Sequence, residues 1–436
     1  MKLPESGNSP AAVLESLEAL RSQDARWRDG RTFSLVYYGG DELLGLLHDA
    51  FFKFFSENAL NPMAFPSLRR METEVLSMVA DLLGEPDAVG SMTTGGTESV
   101  LMAVKTARDH AAATRGITAP EMIVPETVHP AFHKAAHYFG VRAVVVPVGP
   151  DFRADVAATR AAITPHTALI VGSAPSYPQG VVDPITELAA LASSHGILCH
   201  VDACLGGMLL PFLRKLGHPL PPFDFSVPGV TSMSCDLHKY GYAAKGASTV
   251  LYRTRELRRH QFVAYTDWSG GLYGSPSMTG TRAGGPIAAA WAVLNYLGEA
   301  GYKRMAADTL ATAKALLAGL PQIPGLRVLG EPDMSVMAFT SDSEALDIYR
   351  VGDEMDARGW HVDRQQRPPS LHLMITAAHT GLAPKILADL AASVEAARLA
   401  GPATSGAAAM YGMMGSIPDR SMVRDFVLDF MDGLDR

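Results

Sequence analysis

The distribution of hydrophobic and polar residues divides the chain into three parts. Apolar residues recur at helical spacing over 11–29, 41–55 and 68–83, which predicts amphipathic helices in the N-terminal part. Beyond residue 95, short apolar runs alternate with helical segments as far as residue 252. This alternation is typical of βαβ units around a mostly parallel sheet.

The same pattern sets the predicted domain boundaries. Residues 1–57 form an N-terminal helical segment, residues 58–298 a large domain, and residues 299–436 a small C-terminal α+β domain. The predicted fold is α/β, with helices on both faces of the central sheet. Ligands of such sheets bind at the carboxyl ends of the strands, so the residues that follow each strand are the candidates for chemistry. The predicted strands are 121–125, 143–148, 168–173, 197–202, 232–235 and 249–252.

Composition narrows the classes of function. The chain has 436 residues, of which 47% are hydrophobic and 19% charged, and this balance fits a packed enzyme rather than a disordered chain. The formal net charge is −8, and no cluster of Lys and Arg marks a nucleic-acid-binding face, so we exclude that partner class. Three cysteines are too few for a disulfide framework and favour a reducing compartment. No apolar segment reaches the ~20 residues of a membrane span, so we expect a cytoplasmic protein without a transmembrane segment.

A lysine after a short predicted strand is the strongest chemical signal. Lys239 follows His238 beyond the strand-like run 232–235, and the glycines that come next predict a turn. A lysine presented at the edge of a parallel sheet can hold an aldehyde cofactor as a Schiff base and can also move protons. Lys245 is the competing lysine, ranked second. His238 can donate to a cofactor phosphate, or its role is structural.

Two upstream motifs complete the pattern of a pyridoxal phosphate site. Gly95, Gly96 and Thr97 precede a helix, and glycines there let backbone N–H groups approach a phosphate at the helix N-terminus. Taken alone, the same motif is a glycine turn with Thr97 as the helix cap. Asp202 ends the apolar strand 197–201, where a buried carboxylate needs a cationic partner such as a pyridinium N–H.

His129 is the candidate residue for the face of the cofactor ring. It follows the predicted strand 121–125 at the start of a helix, from which an imidazole can stack on the ring and assist proton transfer. Capping the helix is the alternative role. His133 and His137 share its helical face, but no acidic ligand is spaced to complete a metal site, so we predict no metal.

These segments resemble the sphingosine-1-phosphate lyase family, within the fold-type-I pyridoxal phosphate enzymes related to the group II amino-acid decarboxylases. The resemblance covers nearly the whole chain from about residue 30 and is most specific in the HVDACLGG segment (200–207) and the segment from His238 to Gly246. It implies the fold of the pyridoxal phosphate-dependent transferases and a homodimer with shared active sites. It also implies a lyase that cleaves a phosphorylated 2-amino-3-hydroxy compound by a retro-aldol reaction, giving an aldehyde and a phosphorylated amine.

The resemblance assigns roles to the cofactor site. It implies that Lys239 forms the Schiff base, Asp202 pairs with the pyridine nitrogen, and His129 stacks on the ring. Gly96 and Thr97 hold the cofactor phosphate.

The resemblance also assigns residues outside these motifs. Gly280 and Thr281 belong to a loop that, in the family, reaches the cofactor of the neighbouring subunit. Lys245 and Tyr37 match positions that meet the substrate phosphate or assist catalysis. Tyr411, in the C-terminal tail, is a further substrate-binding candidate.

One stretch departs from the family pattern. The family reads Asn-Pro-Leu-His-Pro-Asp where residues 58–63 of this chain are Asn-Ala-Leu-Asn-Pro-Met, so Asn61 replaces a histidine that handles the substrate phosphate. Asparagine donates a hydrogen bond but carries no charge. An amino-acid decarboxylase on the same scaffold therefore stays open as the alternative function. A cofactor-binding protein without catalysis is a third.

Overall fold

A seven-stranded sheet forms the centre of the computed structural model, which describes residues 2–343, 345–401, 403 and 405–434. In chain order its strands are β1 Val89–Thr93, β2 Glu121–Pro125, β3 Arg142–Val146, β4 Thr167–Ser173, β5 Leu198–Asp202, β6 Ser232–Cys235 and β7 Ser248–Tyr252. Their order across the sheet is β1-β7-β6-β5-β4-β2-β3. β7 is antiparallel to β1 and β6, and the other neighbours are parallel. The mostly parallel sheet predicted from the alternating pattern is thus confirmed.

Helices cover both faces of this sheet, so its central strands are apolar on both sides. Along β4, Ile170 joins the larger core cluster, whereas Leu169 and Val171 join a second cluster on the opposite face. The helices up to the small domain are α1 Pro10–Leu20, α2 Asp41–Lys53, α3 Pro66–Leu82, α4 Gly96–Arg115, α5 Ala131–Phe139, α6 Val156–Ala161, α7 Ile185–Ser194, α8 Leu210–Lys215, α9 Arg255–Arg259 and α10 Gly284–Gly319. α10 is interrupted at Gly298, whose backbone is not helical.

A hairpin and a second sheet complete the architecture. β8 Val263–Trp268 and β9 Gly271–Ser275 form an exposed two-stranded hairpin before α10. The elements of the small domain are β10 Leu326–Val328, β11 Val336–Ser341, α11 Ile348–Ala357, β12 Asp363–Gln366, β13 Pro369–Met374, α12 Ala383–Ala400, α13 Gly406–Ser416 and α14 Arg420–Gly433. Its four strands form an antiparallel sheet in the order β10-β11-β13-β12.

The segment before α2 packs against the small domain. Thr32 forms a parallel bridge with His361, and the Phe33 ring lies in the small-domain core, stacked on Trp360 with 5.5 Å between ring centroids. The segment that follows Phe33, which includes Tyr37, is therefore held beside the end of β13. Within the described residues, no helix has the length and apolar character needed to cross a membrane.

Among the elements that differ from the sequence prediction are α1 and β1. α1 ends at Leu20 rather than at residue 29, because the chain passes into a 3-10 turn. β1 was not predicted, because its residues are mostly small or polar. A Cβ atom at Gly90 would lie 2.2 Å from the backbone oxygen of Val250 on β7, so the close approach of these strands requires glycine.

Candidate active site

A cavity of about 590 Å³ opens where the parallel strands end. Ser173 and Asp202 are the last residues of β4 and β5, and Asp236 follows β6 directly. The small domain closes the opposite wall with Asp363 and Met374. Of the residues proposed from sequence, the cavity is lined by Tyr37, Gly95, Gly96, Thr97, His129, Asp202, His238, Lys239 and Lys245.

Lys239 is held by a buried carboxylate three residues before it. Its Nζ atom lies 2.9 Å from Oδ2 of Asp236, whose side chain is 1% exposed. Burial by itself would lower the pKa of Lys239, but the negative charge of Asp236, with smaller contributions from Cys204 and Asp202, raises that pKa overall. The lysine therefore carries a proton when it is not covalently bound.

The glycine turn before α4 packs closely on Asp236. A Cβ atom at Gly96 would lie 2.7 Å from Oδ2 of Asp236 and 2.9 Å from Sγ of Cys204. Gly96 is the first residue of the 20-residue helix α4, so its free N–H groups and helix dipole face the cavity. Thr97, next in the helix, is exposed at the same place. This end of the cavity suits an anion such as a phosphate.

Asp202 presents a carboxylate to the cavity from the end of β5. Oδ1 accepts hydrogen bonds from the backbone N–H of Cys204 and the hydroxyl of Ser234, both at 3.1 Å. Among the described residues no donor is bonded to Oδ2, so this oxygen is available to a cationic group in the cavity. The residue is 8% exposed, and a carboxylate so placed favours a positively charged partner.

His129 lies in the loop before α5 rather than within the helix. Its Nδ1 atom accepts a hydrogen bond from the backbone N–H of Ala131 at 3.2 Å. Burial lowers the pKa of His129 and outweighs the opposing charge of Asp202. The neutral ring therefore carries its proton on Nε2. Within the described residues, no cluster of His, Cys, Asp or Glu could hold a metal ion.

Lys245, His238 and Tyr37 form another wall of the cavity. Nζ of Lys245 donates to the backbone oxygen of His238 at 3.2 Å and lies 5.1 Å from the centre of the Tyr37 ring. Burial, followed by repulsion from Lys239, lowers the pKa of Lys245 to about 8. Burial also raises the pKa of Tyr37 and lowers that of His238. Near neutral pH, Lys245 is therefore positively charged, whereas the side chains of Tyr37 and His238 are neutral.

Four proposed residues do not line this cavity in the single chain. Asn61 caps its own turn, since its Oδ1 atom accepts from the backbone N–H of Met63 at 3.0 Å. Gly280 and Thr281 are exposed in the loop between β9 and α10. Tyr411, on α13, packs against Tyr349 with 5.8 Å between ring centroids.

The structure adds residues that the sequence analysis did not select. Tyr177 and Asp363 face each other across the cavity wall, and the Tyr177 hydroxyl donates to Oδ2 of Asp363 at 3.2 Å. Asp236 had a sequence signal, its position three residues before Lys239. Tyr177 and Asp363 had none, because their proximity depends on how the small domain packs on the sheet.

This arrangement fits pyridoxal phosphate. Lys239, which Asp236 holds in place, supplies an amine for the aldehyde of the cofactor. The free oxygen of Asp202 supplies an acid for the ring nitrogen. The closely packed turn at Gly96 supplies an open helix N-terminus for the phosphate.

Comparison with known proteins agrees with this fit. Residues 2–341 match the family described as the pyridoxal-dependent decarboxylase conserved domain. Sphingosine-1-phosphate lyase of Arabidopsis thaliana is 49% identical over 430 residues, which span 96% of this chain and 78% of the plant protein. Sphingosine-1-phosphate lyase 1 of Rattus norvegicus is 45% identical over 437 residues, spanning 99% of this chain and 76% of the rat protein.

Solved structures give the same result. The sphingosine-1-phosphate lyase of Burkholderia pseudomallei superposes with a TM-score of 0.89 at 43% identity, covering 92% of this chain and 94% of that one. Glutamate decarboxylase of Lactobacillus brevis superposes with a TM-score of 0.80 at 18% identity, covering 91% and 95% of the two chains, and shares the fold. The predicted fold, cofactor and enzyme class are confirmed, and the chain belongs to the sphingosine-1-phosphate lyase family of pyridoxal phosphate-dependent lyases.

Proposed function

We propose that this lyase acts on a phosphorylated 2-amino-3-hydroxy compound, with sphingosine 1-phosphate as the prototype, and takes part in sphingolipid metabolism. It breaks the bond between the amine-bearing and hydroxyl-bearing carbons and releases an aldehyde and a phosphorylated amine. The observation that carries the proposal is the presence of Lys239 and Lys245 in one cavity. Lys239 would bind the cofactor, and Lys245 is a cation suited to a substrate phosphate. The names of the relatives support the same substrate class.

Lys245 and Tyr37 bind the substrate headgroup in this proposal. A phosphate beside Lys245 favours the protonated form, which opposes the burial that lowers the pKa of this lysine to about 8. Tyr37 stays protonated because burial raises its pKa, so its hydroxyl is a hydrogen-bond donor. Asn61 does not carry the charge of the family histidine, which leaves Lys245 with a larger share of phosphate recognition.

Lys239 moves the protons of the reaction. When bound, the cofactor supplies an electron sink for the pair of electrons left by the broken carbon–carbon bond. Once released from the cofactor, Lys239 would accept the proton of the substrate hydroxyl, because the charge of Asp236 favours the protonated lysine. Asp236, 2.9 Å from Nζ, stabilises the resulting ammonium, which then donates its proton to carbon.

Asp202 and His129 are the residues that would hold the cofactor ring in this proposal. Oδ2 of Asp202 would pair with the ring nitrogen of the bound cofactor and keep it protonated, since a buried carboxylate favours a cationic neighbour. His129, neutral and with its Nδ1 atom bonded to the backbone N–H of Ala131, would stack on the cofactor ring and keep water away from that face.

We further propose a cytoplasmic homodimer in which each subunit completes the site of the other. In this chain α1 has no buried residue, and the hairpin β8–β9 exposes large apolar side chains such as Trp268 and Leu272. Exposed apolar surface of this extent is typical of subunit interfaces. Gly280 and Thr281 follow that hairpin in the chain, do not line their own cavity, and would act in the partner's site. The three buried free cysteines suit a reducing compartment.

Product analysis tests the proposed reaction. The protein loaded with cofactor is incubated with sphingosine 1-phosphate and, separately, with a pool of amino acids, and the products are identified by mass spectrometry. We expect a long-chain aldehyde and phosphoethanolamine from the first incubation. Amines and carbon dioxide from the second incubation, without cleavage in the first, would make the protein a decarboxylase.

A further inference from the structure

Glu98 joins two segments that lie far apart in sequence. It is the third residue of α4 and is 6% exposed. Oε2 accepts hydrogen bonds from the backbone N–H and the hydroxyl of Thr94, both at 2.7 Å. Oε1 accepts from the backbone N–H of Met278 at 2.9 Å. Thr94 lines the active-site cavity at the glycine turn, whereas Met278 belongs to the loop between β9 and α10.

That loop, residues 276–283, is fixed on both sides of its exposed centre. Gln261, fully buried, donates from its side chain to the backbone oxygen of Pro276, next to the Glu98 contact. At the other end the guanidinium of Arg282 pairs with Glu72. Between these anchors lie the exposed residues 279–281, which include Gly280 and Thr281.

We propose that Glu98 is a positioning residue that couples the phosphate-binding turn of one subunit to the loop that completes the active site of its partner. This inference rests on the proposed homodimer with shared sites. Glu98 borders the cavity, but both of its oxygens accept hydrogen bonds from Thr94 and Met278, so we assign it no direct role toward the cofactor phosphate or the substrate. Through Thr94 it orders the glycine turn of its own site, and through Met278 of the same chain it orders the loop that enters the partner's site.

A carboxylate is required because both of its oxygens accept hydrogen bonds. The glutamine of a Glu98→Gln variant has one accepting oxygen, and the two donors of Thr94 retain it. Its NH₂ group then faces the N–H of Met278, where two donors meet, and the link to the loop is lost. Removing a negative charge beside a phosphate site would by itself tighten cofactor binding, so weaker binding cannot come from the charge.

Heterodimers in which only one active site keeps Lys239 distinguish an effect of Glu98 on its own site from an effect on the partner's site. The site that keeps Lys239 is called the live site. Two differently tagged chains are coexpressed, and Lys239→Ala in one of them leaves a single site that forms lysine-bound cofactor. In the first pair, the chain with Lys239→Ala also carries Glu98→Gln, so the live site receives the loop with the broken link. In the second pair, Glu98→Gln lies in the chain with the live site. The absorbance of lysine-bound cofactor gives the dissociation constant of that site alone.

We expect the dissociation constant to rise about tenfold in the first pair, the effect of one charge-assisted hydrogen bond, and to change less than about threefold in the second. The reference is the pair with Lys239→Ala alone. Met278→Pro, which removes the N–H donor and keeps Glu98, should reproduce this asymmetry.

The outcomes that overturn the inference are distinct from those that overturn the function. An effect found only when Glu98→Gln lies in the chain of the live site would make Glu98 a support of its own turn only. An equal effect in both pairs would show a general loss of dimer stability rather than coupling through the loop. A monomer by light scattering would overturn the homodimer and the coupling together. Cleavage of sphingosine 1-phosphate by the unmodified protein is measured separately and does not depend on either result.

Discussion

The carboxylate of Asp236 lies 2.9 Å from Nζ of Lys239 and is buried under the turn that begins α4. Its Oδ1 atom has no hydrogen-bond partner within bonding distance in the described part of the chain, although the Ser248 hydroxyl lies near enough to favour its charge. Burial alone would raise the pKa of Asp236, but Lys239 and His238 lower it overall. The buried carboxylate of Asp236 therefore both raises the pKa of Lys239 and packs against the glycine turn.

Replacing Asp236 by Asn should shift the proton affinity of Lys239. Without the negative charge, burial dominates and the pKa of the lysine falls, so the ammonium that donates the final proton is less populated at high pH. We expect kcat to fall about 10- to 100-fold and the alkaline limb of its pH profile to move to lower pH. Asp224→Asn, which removes a buried acid paired with Arg214 outside the cavity, should lower thermal stability without moving that profile. An unchanged pH profile in Asp236→Asn would contradict this role.

Lys245 should make substrate binding depend on pH near 8. Its pKa is lowered to about 8 by burial and then by Lys239, so the side chain is charged below that pH and neutral above it. The KM of a phosphorylated substrate should therefore rise as pH increases from 7 to 9. In Lys245→Arg the charge persists, and KM should stay nearly constant over this range. The same rise in the arginine variant would show that another group titrates.

The two glycines of the turn should respond differently to alanine. A Cβ atom at Gly96 would lie 2.7 Å from Asp236 and 2.9 Å from Cys204, so one of them must shift. At Gly95 the nearest neighbour is a ring carbon of His238 at 3.5 Å, and φ is 162°, an extended value that alanine adopts. We expect Gly96→Ala to destabilise the cofactor-free protein by about 1–3 kcal/mol, and Gly95→Ala by much less. Equal losses in urea unfolding would contradict the close packing.

His379 should make the fold sensitive to acid. Its Nδ1 atom accepts from the backbone N–H of Thr376 at 2.9 Å, and Nε2 donates to the backbone oxygen of Thr32 at 3.0 Å. Burial lowers its pKa to about 4, below the ~6.5 of an unfolded histidine. The neutral form stabilises the fold above pH 6.5, and this stability is lost as pH falls towards 4 because the unfolded chain binds the proton first. Between pH 7 and 5 the loss is about 2 kcal/mol. Urea unfolding of His379→Gln should show a correspondingly smaller pH dependence.

The cofactor motifs were accessible to sequence analysis because each follows one strand of the sheet. Asp202 ends an apolar strand and Lys239 comes soon after a short strand of small residues, and the carboxyl ends of these neighbouring strands meet at one edge of the sheet. A linear pattern was therefore enough to bring the two residues together. Asp363 was not accessible in the same way. No motif marks this residue, because β12 begins at Asp363 and reaches the cavity only through the packing of the small domain.

The contact between Glu98 and Met278 illustrates the same limit. Glu98 stood within the glycine motif, but its partner is 180 residues away in a loop without a periodic pattern. The contributions of Gly280, Thr281, Asn61 and Tyr411 stay predictions, since these residues do not line the cavity of the single chain. Local chemistry was thus predictable where the topology of the sheet fixes it, and not where loops from distant segments meet.

The most direct test of the account is the stoichiometry of products from sphingosine 1-phosphate with the cofactor-loaded protein, alongside the Lys239→Ala variant and non-phosphorylated sphingosine. We predict one long-chain aldehyde and one phosphoethanolamine per substrate consumed, no turnover in Lys239→Ala, and a KM for sphingosine well above that for its phosphate. Cleavage that survives in Lys239→Ala, or equal use of both substrates, would contradict the roles given to Lys239 and Lys245.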